Sequence, residues 1–362
     1  MKRFLKITYF LVVSTLVGYL SGGCSKSSAP EATPKAACRI SSYEAVSTSQ
    51  FYTENRKTTY DYDGQGNLLK TTATSNKRAS TGTVGNQTGT VTVSYTYDAD
   101  GYLKASTSQE LYVTTMAPDK TVSEQITITK SYSYVGGRLS AFTTKRIGAY
   151  GVTTTTKASF TYDQAGDLVS KTETSTNEVH DPSIANEIPT GTGSSTRIWT
   201  YQKNRLVDYV EQAGGTEQRP LTLQNGVVTK LTIPNYEMRI ETDNLQRVTK
   251  QEEYAYGRLI RYYTQTWSDA KSTSTILPTF KGFPTIAPTS EFGQEGVLAS
   301  HKTFVLNEVK GSMEQYDEIV YTIQTNAQGL VTKATITTKH PNLAASSQDV
   351  VTTETYTYSD CQ

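Results

Sequence analysis

The 362-residue chain is poor in the residues from which catalytic and metal sites are usually built. It has three histidines, His180, His301 and His340, in separate segments and without H-x-x-x-H spacing. No metal-ligand motif can be read from them. Its three cysteines, Cys24, Cys38 and Cys361, are too few and too scattered for a structural zinc site. Neither a G-x-S-x-G elbow nor a phosphate-cradling G-x-x-x-x-G-K-[ST] loop occurs. Charge of one sign is also missing. The chain holds 35 basic and 34 acidic residues, and removing residues 1–23 with their three basic ones leaves 32 against 34. Nucleic acid needs a concentrated basic surface, so it is not an expected partner. Beyond residue 20 there is no long apolar run, hence no transmembrane helix. The carboxylates are many, but no two are marked as a facing glycosidase pair. The expectation is a non-enzymatic chain with no cofactor and no metal.

Two short clusters carry residues that could ligate a metal. "NEVHDP" at 177–182 groups Glu178, His180 and Asp181, which read better as a solvated loop than as a metal site. "YDYDGQGN" at 60–67 offers Asp61, Asp63 and Asn67 to calcium. It lacks the D-x-D-x-D-G order, and a turn already accounts for Asp63.

The amino terminus is a processing segment. Lys2, Arg3 and Lys6 precede the apolar run "FLVVSTLVGYL" at 10–20, which is too short to span a bilayer comfortably. "LSGGC" follows and closes on Cys24. These small residues before a cysteine resemble a bacterial lipobox. Ser21 stands where the usual leucine would, with Leu20 one place further out. The resemblance implies cleavage before Cys24 and lipid attachment to it; an ordinary secretory signal is the alternative. Residues 24–37, "CSKSSAPEATPKAA", have too little apolar content to fold and read as a tether. Residues 38–362 then form a single domain.

That domain is rich in Thr, Ser, Val and Tyr, with 25 Tyr against nine Phe and two Trp. These residues suit a pleated, half-exposed surface. "TVSEQITITKSYSYV" at 121–135 carries Val122, Glu124, Ile126, Ile128, Lys130, Tyr132 and Tyr134 on alternate positions, with mostly Thr and Ser between. A period of two means a strand with one apolar face. "VTVSYTYD" at 91–98 and "VTTTTKASFTYD" at 152–163 repeat the pattern.

Three of these strands run into near-copies of one motif: "YDYDGQGNL" at 60–68, "YTYDADGYL" at 95–103 and "FTYDQAGDL" at 160–168. Asp at the first place and Gly at the fourth predict a type I turn closed by a left-handed glycine and a bulge. The Tyr before and the Leu after are placed to pack across the hairpin. Degenerate copies are 326–329, and 243–246 with its glycine lost; 135–137 and 202–204 are shorter equivalents. Gly66, Gly101, Gly137 and Gly166 are 35, 36 and 29 residues apart, room for two strands and a connection. These turns should therefore share one edge. Longer connections are expected at the other edge, around 76–89, 116–120, 176–194 and 212–218.

The motif resembles the YD repeat of Rhs-type proteins. With the lipobox, the spacing and the "YTYSDC" ending, the chain is similar to a family of uncharacterised Bacteroidetes lipoproteins with a porin-like fold, over most of 38–361. The resemblance implies an address and a fold and hardly any activity.

The alternation predicts an all-β, antiparallel, up-and-down meander of about twenty strands, from near 38–48 to near 350–358, curled or closed into a barrel-like sheet. An even count brings the two chain ends to one edge. There a Cys38–Cys361 disulfide is plausible in an oxidising compartment, two unrelated thiols being the alternative. The Pro- and Phe-rich segment near 269–300, with Pro278, Phe280, Phe283, Pro284, Ile286, Pro288 and Phe292, is a candidate plug, cap or outer loop, and a short helix from Ser290 fits its end. Glu124 and Lys130 on the apolar face, and the Cys-Gln ending, argue against lipid around the sheet. The expected role is a lipid-anchored envelope protein, placed at the outer membrane, that is structural or contacts a glycan or another envelope protein. The alternative is a carbohydrate or apolar-ligand binder. For that reading the densest aromatic stretch supplies Tyr254, Tyr256, Tyr262, Tyr263 and Trp267.

Overall fold

The computed structural model describes residues 38–359, apart from 50, 81–84, 117–119, 149–151, 180–194, 204, 214, 226, 272–279, 285–295 and 342–348. The signal segment and tether with Cys24, and also Cys361, His180, Asp181 and the helix expected from Ser290, lie outside the described residues.

The strands are β1 (Arg39–Thr48), β2 (Tyr52–Tyr62), β3 (Leu68–Ala79), β4 (Asn86–Tyr97), β5 (Leu103–Met116), β6 (Lys120–Val135) and β7 (Arg138–Ile147). Then come β8 (Val152–Tyr162), β9 (Leu168–Val179), β10 (Ser195–Gln202), β11 (Arg205–Ala213), β12 (Thr216–Gln218), β13 (Leu221–Gln224) and β14 (Val227–Ile233). The last are β15 (Tyr236–Thr242), β16 (Val248–Ala255), β17 (Arg258–Ser268), β18 (Val297–Asn307), β19 (Ser312–Thr325), β20 (Val331–Lys339) and β21 (Val350–Ser359). They form one sheet in which each strand pairs antiparallel with its sequence neighbours, and β1 also pairs with β21 from Arg39↔Ser359 to Thr48↔Val351. Between β12 and β13 there is no ladder among the described residues. The sheet is thus curled, with its two chain ends joined and one unpaired seam elsewhere.

The seam explains the count. With every ladder antiparallel and β1 opposed to β21, β12 and β13 must run the same way. Only Arg219 and Pro220 separate them, and proline cannot donate to a ladder. They are one path broken at Pro220. Its first half pairs with β11 and its second with β14, the Pro220 carbonyl accepting from Thr232 N–H at 2.7 Å. Twenty paths remain, the even number that returns the last strand beside the first. Side chains close the gap: Arg219 pairs with Asp208 of β11, and Leu223 packs with both flanking apolar clusters.

Alternation sorts the two faces. On β4, Gly89, Val91 and Val93 are buried, while Thr88, Thr90, Ser94 and Thr96 are exposed. Following register from strand to strand puts Ala45, Val93, Ile126, Ala158, Trp199, Met238, Ile240 and Ala334 on one face, all buried. A single sheet can cover one of its own faces only by curling around it, so this is the inner face. The outer face is mostly Thr, Ser and charged side chains. Examples are Lys57 against Glu44 across β1–β2, and the chain Lys230, Glu237 and Arg239 across β14–β15.

One rim carries all the Asp/Gly turns, the 243–246 and 326–329 copies, the connection after β17, and both chain ends; we call it the turn rim. The loop rim opposite has shorter connections than the sequence suggested, because strands continue into them. β3 and β4 stay paired to Lys77↔Gln87, and β8 and β9 to Val152↔Val179.

Candidate functional site

The repeated motif builds the turn rim. Asp63 Oδ1 accepts from the backbone N–H of Gln65 and Asn67 at 2.9 and 2.8 Å, Oδ2 accepts from Asn67 Nδ2 at 2.8 Å, and Gly66 N–H closes onto the Asp63 carbonyl at 3.0 Å. Burial opposes ionisation of Asp63, but these hydrogen bonds together outweigh it and hold the carboxyl below its usual range. Both oxygens serve the turn, which accounts for Asp63 without a cation. Asp98, Asp243 and Asn326 accept in the same way from residues two and four further on.

Behind each turn a bulge sets the aromatic opposite the apolar residue: Tyr62↔Leu68, Tyr97↔Leu103, Tyr134↔Leu139, Tyr162↔Leu168 and Tyr201↔Leu206. All five leucines are at most 4 % exposed. Each such burial contributes roughly 1.5–3 kcal/mol. The extra residue of the bulge is turned outward, as with Leu69, Val169 and Val207.

The sequence reading missed where the tyrosine hydroxyls go. Four of them, and Tyr358 of β21, donate to a backbone carbonyl further back along the rim: Tyr62 to Ile40 and Tyr97 to Leu68 at 2.9 Å, Tyr134 to Leu103 at 2.9 Å, Tyr162 to Leu139 at 2.8 Å, and Tyr358 to Val331. Burial above all pushes the Tyr62, Tyr162 and Tyr358 hydroxyls up to about 12, so they stay protonated donors. The residue before the accepting one lies over the ring: Arg39 over Tyr62, Tyr102 against Tyr134, Arg138 over Tyr162.

Trp267 belongs to this set. Its Nε1 donates to the Val248 carbonyl at 2.7 Å, and Arg247 lies over its ring. Of the other expected ligand contacts, Tyr254 is on the outer face, bonded to Glu252 and covered by Arg239. Tyr262 is also outside, stacked on Phe304 with centroids 4.3 Å apart. Tyr263 is inside, beside His301. Tyr256 is 84 % exposed at a loop-rim hairpin. The five do not line one groove: adjacent strand residues face opposite ways, and a bulge and a turn separate the rest.

The insertion after β17, 269–296, is described at 269–271, 280–284 and 296. Lys271 bridges to Leu330 at the turn rim. Phe280 packs on Tyr95 and Phe283 on Tyr132, both inner-face rings of β4 and β6. Leu139 N–H donates to the Gly282 carbonyl at 2.7 Å, and Lys281 donates to the Asp100 carbonyl at 2.8 Å. Its described residues therefore touch two parts of the turn rim, Lys271 beside Leu330 and 280–283 on β4–β7. Phe280 and Phe283 thus lie on the inner face, and most of the candidate plug, cap or outer loop falls outside the described residues.

Away from that rim the inner face turns polar. Tyr43 and Tyr356 donate to the two oxygens of Glu354 at 2.8 and 2.7 Å, inside the β1–β21 junction; burial and the Glu354 charge raise both hydroxyls. Glu110 is 7 % exposed and takes Tyr112 at 3.2 Å. Lys130 is lowered by burial, against the opposing pull of Glu173. On β17–β19, His301 lies between Gln265 (3.2 Å) and Thr303 (3.1 Å). Burial lowers His301, and the nearby Asp317 opposes this. Alternation along 121–135 already put Lys130 on this face; the other residues and their cross-strand neighbours needed the register. Among the described residues no group of three or more His, Cys, Asp or Glu side chains is arranged to hold a metal ion.

No protein-family model matches the chain, and no curated protein matches it. Among solved structures it is similar to a porin-like protein from Bacteroides uniformis ATCC 8492. The TM-score is 0.33 and the identity 14 %, covering 88 % of this chain and 96 % of that one. Function is not read from that similarity.

Proposed function

We propose that this chain is a non-enzymatic envelope lipoprotein, held by lipid on Cys24, whose curled sheet stands in water as a rigid scaffold. The observation that carries the reading is the outer face. It presents mostly Thr, Ser and charged side chains, several of them paired, with apolar ones such as Leu69, Leu111 and Val320 scattered among them, whereas a lipid-embedded barrel needs a continuous apolar band outside. The tether enters at the turn rim through Cys38, so the loop rim is the side offered to an envelope partner. A Cys38–Cys361 disulfide fits the same picture. It is supported by the disulfide-bonded state of Cys38 and by Arg39↔Ser359 pairing beside it. Expression with labelled palmitate, followed by fractionation, tests the proposal. The wild-type chain should carry label and sediment with membranes. Cys24→Ala should carry none and become soluble. Retention of Cys24→Ala in the membrane would show a lipid-embedded sheet and overturn the reading.

A second reading, ligand binding, moves from the outer aromatic stretch to the inner face. It is favoured by the convergence of Tyr263, His301 and Asp317 there.

A further inference from the structure

The loop rim carries the two large apolar side chains most exposed among the described residues, Val309 at 97 % and Tyr256 at 84 %. They stand on neighbouring hairpins. The connections after β14, β16 and β18 follow one another along that rim, and they present Ile233 with Pro234, then Tyr256, then Val309, all exposed. Two strand spacings separate successive tips, so the three span about 20 Å. The tips are held in place. Tyr256 N–H donates to the Asn235 carbonyl at 2.9 Å, which ties the second tip to the first. Asn307 Oδ1 accepts from the N–H groups of Val309 and Lys310 at 3.1 Å each, and the Asn307 carbonyl accepts from Gly311 N–H at 2.8 Å. Glu314 takes Asn307 Nδ2 at 2.9 Å and Lys310 Nζ at 2.7 Å. Turn tips are ordinarily glycine or short polar residues. Tyr256 is moreover in the left-handed region at φ 50°, followed by Gly257 at φ 77°, a hairpin turn in which Asn-Gly is the usual pair. A strained ring standing in water does not serve the fold, and such outliers gather at functional sites.

We propose that Ile233, Tyr256 and Val309 form a docking surface for another envelope protein, one whose apolar clefts receive the three tips. The occupant follows from the anchor, so the inference rests on the lipid-anchored reading above. Residues 24–37 join the lipid to Cys38 at the turn rim. The loop rim therefore faces away from that bilayer, at the far end of strands roughly 30 Å long. Two copies anchored in one bilayer present their loop rims the same way and do not meet through them. The exposed charges beside the tips have both signs, Arg258 and Lys310 with Glu308, which does not suit a polyanion. A protein fits. Rigid protrusions lose little freedom on docking, and a spread of about 20 Å lies within a standard interface of about 800 Å² per partner.

The test is site-directed photo-crosslinking in cells that make the anchored chain natively. Benzoylphenylalanine replaces Tyr256, Val309 or, as a control, the exposed turn-rim Val135. The first two positions should give adducts with one and the same envelope protein, identified by mass spectrometry, and the control none with it. With the crosslinker at 309, Tyr256→Asn should reduce that adduct roughly tenfold, the scale of an aromatic hot spot. The same substitution should raise the melting temperature, since Asn suits this turn better than Tyr. Docking and folding then move in opposite directions, which a loss of structure does not imitate. Adducts with lipid, adducts only with a second copy of the chain, an adduct that Tyr256→Asn leaves unchanged, or none beyond the Val135 control would each overturn the docking surface. Palmitate labelling at Cys24, read separately, shows whether the anchored reading stands when the docking surface falls.

Discussion

At the scale of single residues, the turns show what a glycine contributes. Gly66, Gly101, Gly166 and Gly329 all end their turns in the left-handed region, at φ between 78° and 91°. The copy at 243–246 keeps the same hydrogen bonds with Gln246 in that place, at φ 62°. A residue with a Cβ is strained there by about 1–2 kcal/mol, while glycine loses roughly 0.5–1 kcal/mol more chain entropy on folding. Gln246→Gly should therefore stabilise the chain by about 0.5–1 kcal/mol. Urea denaturation with an unchanged slope would measure it. A loss of stability would mean that the Gln246 side chain makes a contact worth more than the strain. The turn itself was legible from Asp and Gly spacing alone, because its hydrogen bonds are local. That the carboxylate reaches the fourth residue as well as the second was not, since the bulge that brings that N–H round depends on the partner strand.

At the scale of the element, the unit is a hairpin plus the hydroxyl that ties it to the hairpin before. The Tyr97 hydroxyl bonds Leu68, 29 residues back, and that carbonyl belongs to a residue only 2 % exposed. Tyr97→Phe removes the donor without changing the shape and leaves a buried acceptor unmet. The expected cost is about 1–3 kcal/mol. Tyr254→Phe is the matched control. Its hydroxyl bonds Glu252 on the outer face, where water can replace it, so the change should be within about 0.5 kcal/mol. Equal effects would remove the anchoring role from the motif tyrosines. The repeat was visible as a string of Tyr, Asp, Gly and Leu, and so was the packing of Tyr on Leu across one turn. The hydroxyl's destination was hidden, because alternation assigns a side chain to a face but says nothing of the register between successive hairpins. The same gap misassigned Trp267: read by composition it is a ligand platform, and read by register it is one more anchor.

At the scale of the molecule, stability must be uneven around the sheet. The junction of β1 with β21 combines a nine-pair ladder with the buried Tyr43–Glu354–Tyr356 group. Among the described residues the seam at β11 and β13 has no ladder, and it is spanned by Leu223 and by an Arg219–Asp208 pair exposed to solvent and weakened by screening. The meeting of the chain ends could be anticipated only on the condition that the count of about twenty alternating segments is even. The seam could not: Pro220 reads as an ordinary turn until β12 and β13 are seen to run in one direction. This difference predicts where the sheet opens. Under native conditions, amides of residues 205–210 and 221–224 that face the seam should exchange with deuterium well before those of 42–48 and 351–357, since local opening follows missing backbone pairing. Arg219→Ala should widen the contrast by releasing the side-chain clasp, and high salt should do the same to the wild type. If the peptides at the two chain ends exchange first, the junction of β1 and β21 is the weak point. The unpaired stretch behind Pro220 would then be held by contacts stronger than those between Arg219, Asp208 and Leu223.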